Sequence, residues 1–275
     1  MRFICDLHTH STASDGQYTP TELVQMAKER GLEVLALTDH DTMDGLEEAI
    51  QAGQRCGLRI ILGVELSAKE YPTFHILGYG FSMSAPPLKE LCRRMKARRD
   101  ERTGHLLAFL GEKGIRLTVS EVEKLAGGDI IGRPHFAQAM VLRGYVDTNR
   151  EAFDRYLDTE EYHKKVDRDK PSVQECITAI KASGGKVSLA HPYQIGLGKD
   201  GLDKLTAELV GCGLDAIECY YPKYTLQQQE FYCHLAWKYR LHQTGGSDFH
   251  GEKVKPDVEL ARWPMELEWL GIRKN

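Results

Sequence analysis

Apolar residues in this chain come in short runs separated by amphipathic stretches. Phe3-Ile4-Cys5-Asp6-Leu7 reads as a strand over 3–7. From Thr21 to Arg30, Leu23, Val24 and Ala27 recur at helical spacing, Pro20-Thr21 opens the segment and Gly31 stops it. A strand follows at 33–38. The next helix, with Asp44 as its expected cap, runs to Cys56 and ends at Gly57. Strands return at 59–62 and 73–79. This alternation predicts a parallel sheet with its functional residues at the carboxyl ends of the strands.

The rhythm breaks between 84 and 170. Lys89–Leu110 reads as a long charged helix bearing Arg93, Arg94, Arg98, Arg99 and Arg102. Thr118-Val119-Ser120 caps a helix over Glu121–Ala126. Ile131-Gly132-Arg133-Pro134 leads into a helix around Ala137–Arg143, and another covers Asn149–Leu157. No strand pattern interrupts these helices. Alternation then resumes, with helices at 172–182, 200–211 and 225–239 and strands at 186–190, 215–220 and 241–245. The expected fold is α/β, a distorted seven-stranded (β/α)7 barrel. Residues 1–83 and 171–275 would form the barrel and 84–170 an inserted helical subdomain. The tail from Lys253, with Pro256, Pro264 and two of the three tryptophans, is expected to pack across the barrel exterior.

Composition narrows the function classes. A net charge of -4 provides no global basic field for nucleic acid, so any polyanion contact must be local. Seven cysteines at unpaired spacings argue against a disulfide framework and read as free thiols. The first strand begins almost at Met1, leaving no room for a signal peptide, and no apolar run reaches the length of a membrane span. The expectation is a cytoplasmic protein with no membrane association and no obligate protein partner.

Candidate chemistry gathers at the strand ends. His8 and His10 are two apart on one strand and share a face. Asp39-His40, Glu65, His75, His191, Asp248 and His250 each lie within or just after another apolar run, and Asp15 follows the first. A lone histidine at a strand end is usually structural, but His8, His10, Asp15, His40, Glu65, His75, His191, Asp248 and His250 together exceed the needs of one cation. Mixed imidazole and carboxylate donors suit two to three divalent ions of manganese, zinc or iron, with Glu65 as a natural bridge. Asp39 is read either as orienting a ligand histidine or as a turn cap. Ser11 and Ser247 read as turn or supporting residues. His105, His163, His234 and His242 read as structural or surface groups.

His8-Thr9-His10-Ser11 with Asp15-Gly16, Thr38-Asp39-His40-Asp41-Thr42, Gly63-Val64-Glu65, Ala190-His191-Pro192 and Gly246-Ser247-Asp248-Phe249-His250-Gly251 resemble the polymerase and histidinol phosphatase (PHP) superfamily. The helical insertion and Ile131-Gly132-Arg133-Pro134-His135 resemble its branch of RNase AM and the 3',5'-nucleotide bisphosphate phosphatases. The chain departs from that branch at Glu160-Glu161-Tyr162-His163-Lys164-Lys165, where relatives tend to carry a glycine- and proline-bearing tyrosine motif. The resemblance implies a trinuclear layout. His8, His10, Glu65 and Asp248 would hold one ion, Glu65, His75 and His191 a second, and Asp15, His40 and His250 a third.

Metal-activated hydroxide would then attack phosphorus with no protein nucleophile, and no nucleophile elbow or Walker loop is present. Glu65, His191 and Asp248 are the expected catalytic residues, with His191 or the third ion assisting the leaving group. Arg133 and His135 are the first choice for substrate phosphate, held by a loop that Gly132 and Pro134 stiffen. Arg94, Arg98, Arg99 and Arg102 offer a second phosphate surface, and Tyr193, Tyr220 or Tyr221 a nucleobase platform. The expected activity is hydrolysis of phosphate monoesters of small nucleotides or of the 5' ends of short RNA. The alternatives are a histidinol-phosphate phosphatase and a non-catalytic metal-binding module.

Overall fold

In the computed structural model, residues 1–126, 131–166 and 170–274 are described, without the side chains of residues 99 and 100. One sheet carries the molecule. Its strands are β1 (Arg2–Thr9), β2 (Val34–Leu37), β3 (Arg59–Ser67), β4 (His75–Tyr79), β5 (Lys186–Leu189), β6 (Ala216–Tyr220), β7 (His242–Gly245) and β8 (Trp263–Glu266), in the order β7-β6-β5-β4-β3-β2-β1-β8. Past β7 the chain swings back to β1: Asp248 N–H donates to the His8 carbonyl at 2.8 Å, and His10 N–H to that of Phe249 at 2.9 Å. These bonds draw the carboxyl-end mouth together, so the sheet is nearly a closed barrel.

Helices α1 (Pro20–Glu29), α2 (Leu46–Cys56), α8 (Val173–Ala182), α9 (Lys199–Cys212) and α10 (Leu226–Tyr239) cover the sheet. Their apolar faces join Leu35, Leu37, Ile217 and Cys219 in an outer core, whereas Val34, Ala36, Leu77 and Ala190 fill the barrel interior. Helices α3 (Pro86–Glu112), α4 (Val119–Ala126), α5 (Arg133–Leu142), α6 (Asn149–Ala152) with the π-turn Phe153–Leu157, and α7 (Glu160–Lys165) build a separate core around Phe109, Leu110, Phe136, Met140 and Tyr162. All seven cysteines are free. Among the described residues no helix is long and apolar enough to cross a membrane.

Several expectations are corrected. The sheet is not all parallel: β4 runs antiparallel to both β3 and β5. The strand expected at 59–62 continues to Ser67, and the seven residues left before His75 are too few for a crossover. Among the described residues there are eight strands, because the tail supplies β8, antiparallel to β1, rather than lying on the exterior. Asp44 is not the cap of α2; Gly45 is, and the Asp44 carboxylate pairs with Lys96 at 2.8 Å.

Candidate metal centre

Each strand delivers its donor to the mouth by a local device. The pairing of β1 with β2 slips between Asp6 and Thr9, a bulge of the kind that re-aims side chains at a strand end. His8 and His10 emerge there fully buried. Glu65 lies inside β3 rather than past its end, stitched to the 39–41 segment by Glu65 N–H to Asp39 C=O at 3.2 Å and Asp41 N–H to Glu65 C=O at 2.8 Å. His75 reaches the mouth because β4 is reversed, which puts its amino end where the parallel strands have their carboxyl ends. His191 and Asp248 follow β5 and β7 with φ of 23° and 56°. Such values strain a residue with a Cβ and cluster at functional sites.

The nine sequence-identified donors converge. Glu65 Oε2 lies 3.1 Å from His8 Nε2, 3.1 Å from His10 Nε2 and 3.2 Å from His40 Nδ1. Its Oε1 lies 2.8 Å from both His75 Nδ1 and His191 Nε2. Asp248 Oδ1 is 3.4 Å from His10 Nε2, and Asp15 Oδ1 is 3.3 Å from His250 Nε2. Among the described residues three sets have donor atoms within 4.8 Å of one another: His8, His10, Glu65 and Asp248; His10, Asp15, His40 and His250; and His40, Glu65 and His75, with His191 in none of them. His10 and His40 each belong to two sets, which differs from the one-ion-each partition that the resemblance implied.

The donor chemistry fits divalent cations. His8 Nε2, both nitrogens of His10, His40 Nδ1, Glu65 Oε2 and His191 Nδ1 are buried without hydrogen-bond partners, the close approaches above lacking the required direction. Each such group costs about 1–3 kcal/mol unless something satisfies it. Burial pushes the Glu65 carboxyl up, but His40, His8 and His75 outweigh it and hold its pKa well below the usual range. Burial opposes charge on His8, yet Glu65, Glu218 and Asp248 raise its pKa well above the ordinary value. Against the same burial, contacts with Asp248 and Glu65 raise His10 to about 9. Burial keeps His40 well below its usual value. The carboxylates therefore demand positive charge, which a divalent cation supplies without protonating the imidazoles.

Residues that sequence reasoning missed support the donors. Glu218 on β6 is buried; its Oε1 lies 3.1 Å from His8 Nδ1 and its Oε2 accepts His191 N–H at 2.7 Å. With Nδ1–H donated to Glu218, His8 turns its Nε2 lone pair inward. The signal was present in Ala216–Tyr220: Ile217 and Cys219 pack outward, which assigns Glu218 to the interior face. Asp6 accepts from Ser247 N–H at 2.9 Å, Ser247 Oγ at 2.5 Å and Ala261 N–H at 2.8 Å, fastening the Asp248 loop. Burial lifts Asp6 to about 6 despite these bonds. Lys255 Nζ lies 2.6 Å from Asp248 Oδ2, which also accepts from Tyr221 OH at 3.2 Å. Gly246 admits no side chain, since a Cβ would lie 2.2 Å from His8 Cβ.

Other expectations shift. Asp39 orients no imidazole; it accepts from Ser11 N–H at 2.8 Å, Ser11 Oγ at 2.7 Å and Ser14 Oγ at 2.6 Å and so holds the loop leading to Asp15. Ser11 and Ser247 are supporting residues. Arg133 stands in the first turn of α5, not on a loop. It is pinned by Asp158 at 2.9 Å and the Leu157 carbonyl at 3.2 Å, over the rings of Phe153 and Tyr162. Its neighbour Gly132 touches Asp15, where a Cβ would lie 3.1 Å from Asp15 Cβ, so α5 begins at the edge of the donor cluster. His135 is buried, and its Nδ1 accepts Gly132 N–H at 2.9 Å. On α3, Arg94 pairs with Glu175 and Arg93 with Glu90, and Arg98 and Arg102 are also engaged. The side chain of Arg99 lies outside the described residues. Tyr220 packs on Trp263 at 5.7 Å, whereas Tyr193 and Tyr221 pair beside Asp248 with centroids 5.4 Å apart.

The chain is similar to known proteins over most of its length. The model of the PHP domain matches residues 6–169. A 5'-3' exoribonuclease of Haemophilus influenzae is 35% identical over 89% of each chain. A phosphoribosyl 1,2-cyclic phosphate 1,2-diphosphodiesterase of Eggerthella lenta is 35% identical over 90% of this chain and 94% of that one. A 3',5'-nucleoside bisphosphate phosphatase of Chromobacterium violaceum is 32% identical over 89% and 86%. Among solved structures, an amidohydrolase from C. violaceum with bound sulfate and no metal superposes with a TM-score of 0.83 at 32% identity, covering 93% of this chain and 90% of that one. A Bifidobacterium adolescentis protein assigned as a metal-dependent phosphoesterase gives a TM-score of 0.83 at 30% identity, over 96% and 93%.

Proposed function

This chain belongs to the PHP family, and from that premise we propose that it is a metal-dependent phosphoesterase acting on small nucleotides or on the 5' ends of short RNA. One observation carries the reading: six imidazoles, Asp15 and Asp248, brought from distant parts of the chain, gather with Glu65 in one cluster, and several of their buried polar atoms lack hydrogen-bond partners. The proposed ligands are His8, His10, Asp15, His40, Glu65, His75, His191, Asp248 and His250, for two to three ions of manganese, zinc or iron. When bound, such ions lower the pKa of water and neutralise phosphoryl charge.

The chain's own residues do the rest. Glu218 fixes the tautomer of His8 and the backbone of His191. Asp6 and Asp39 clamp the loops that carry Asp248 and Asp15. Arg133, at the start of α5, offers a guanidinium to a second phosphate or to the next nucleotide once Asp158 yields. Tyr193, which packs against Tyr221 beside the cluster, is the proposed platform for a base.

The test is a phosphate-release and product screen of metal-reconstituted protein. Its substrates are 3',5'-bisphosphoadenosine, AMP, 5'-phosphorylated oligonucleotides, phosphoribosyl 1,2-cyclic phosphate and histidinol phosphate. Turnover is expected on the nucleotides. Preference for histidinol phosphate overturns the nucleotide assignment, and no hydrolysis of any ester overturns the phosphoesterase reading.

A further inference from the structure

Lys255 is a cation built onto the edge of the donor cluster. Its backbone N–H donates to Gly251 C=O at 2.8 Å, and Lys253 N–H donates to Gln17 Oε1 at 2.9 Å, so the turn is fixed at both ends. The ammonium takes Asp248 Oδ2 at 2.6 Å, leaving Asp248 Oδ1 to face His10 Nε2 at 3.4 Å. Among the described residues, no other lysine or arginine forms an ion pair with any of the nine donors. The ammonium has three N–H donors. One lies on Asp248 Oδ2, and the Asp248 carbonyl at 3.5 Å is at the limit of a bond. The side chain is 30% exposed, half-buried at the edge of the donor cluster. Desolvation works against its charge, but Asp248, then Glu65 and Asp15, hold its pKa above the ordinary lysine value.

Resting on the phosphoesterase reading, we propose that Lys255 binds a phosphoryl oxygen of the substrate while holding Asp248 to a single inward-facing oxygen. A phosphate dianion entering the mouth needs N–H donors and positive charge, and a lysine supplies both as a compact point charge.

The test compares Lys255→Met and Lys255→Arg with the parent, all loaded with manganese. Calorimetry with inorganic phosphate gives the affinity, elemental analysis gives metal content, and steady-state kinetics separate KM from kcat. Lys255→Met should keep its metal and its circular dichroism, weaken phosphate about 10- to 100-fold and raise KM, with partial recovery in Lys255→Arg. Parental phosphate affinity in Lys255→Met, with a parent enzyme that hydrolyses its ester, overturns the assignment of Lys255 alone. Loss of metal from Lys255→Met overturns the phosphoryl contact and leaves only the hold on Asp248. A parent protein that neither binds phosphate nor releases it sinks the phosphoesterase reading itself.

Discussion

Replacing Glu218 by Gln keeps the shape of the side chain and changes only its hydrogen-bonding sense. The carboxylate faces two donors, His191 N–H at 2.7 Å and His8 Nδ1 at 3.1 Å. An amide has one oxygen and one NH2, so one of the two must meet a donor. If His191 N–H loses its acceptor, a backbone held at φ 23° loses its anchor. If His8 changes tautomer, its Nε2 carries the proton into the cluster and the inward lone pair is gone. An unsatisfied buried donor costs about 1–3 kcal/mol. Loss of a residue that orients a metal-bound histidine typically weakens metal about 10- to 100-fold, or about 1.4–2.7 kcal/mol, so two independent routes agree. Titration with zinc or manganese under a competing chelator measures the affinity. Thermal melts with and without metal should show a smaller metal-induced rise in Tm for the variant. Parental metal affinity in Glu218→Gln would refute the claim that this carboxylate sets the donor geometry.

Exhaustive chelation should abolish ester hydrolysis and lower Tm; cation at a hundredfold its Kd contributes about 2.7 kcal/mol, and full activity in metal-free protein contradicts the account. Gly246→Ala forces a methyl to within 2.2 Å of His8 Cβ, so the unfolding free energy from denaturant melts should fall by at least the roughly 1–3 kcal/mol of overpacking, with metal binding lost. Arg133→Ala should raise KM at unchanged metal content, whereas Asp158→Asn, by releasing Arg133, should lower KM for substrates with a second phosphate; no change in either argues against Arg133 at the substrate. His163, then Arg133, hold the Asp158 carboxyl below its ordinary pKa despite opposing burial. Its stabilising contribution is therefore complete above the unfolded value of about 3.9 and disappears as pH falls through the lower folded value. Urea melts of parent and Asp158→Asn should differ at pH 7 and converge in acid.

Much of the site was legible because two of its determinants are local. Residue type names a donor, and strand periodicity tells where a run ends, so His8, His10, His40, His191, Asp248 and His250 could be placed at strand ends without coordinates. The helices of the described residues between 86 and 165 were equally readable, since no strand-like run interrupts the pattern there. The reversal of β4 was harder: only the length of the connection after Ser67 reveals it, and that length depends on where β3 stops. The eighth strand was hidden because Trp263–Glu266 becomes a strand only by pairing with β1.

What the chain alone determined is an inventory: alternating elements and nine candidate donors. Tertiary structure decided which carboxylate supports which imidazole. Glu218 meets His8 across 210 residues, and Arg133 is held by Asp158 rather than left free. The reason is physical: covalent neighbours set backbone propensity, whereas the protonation, orientation and availability of a buried charge depend on groups that only folding brings within a few ångströms.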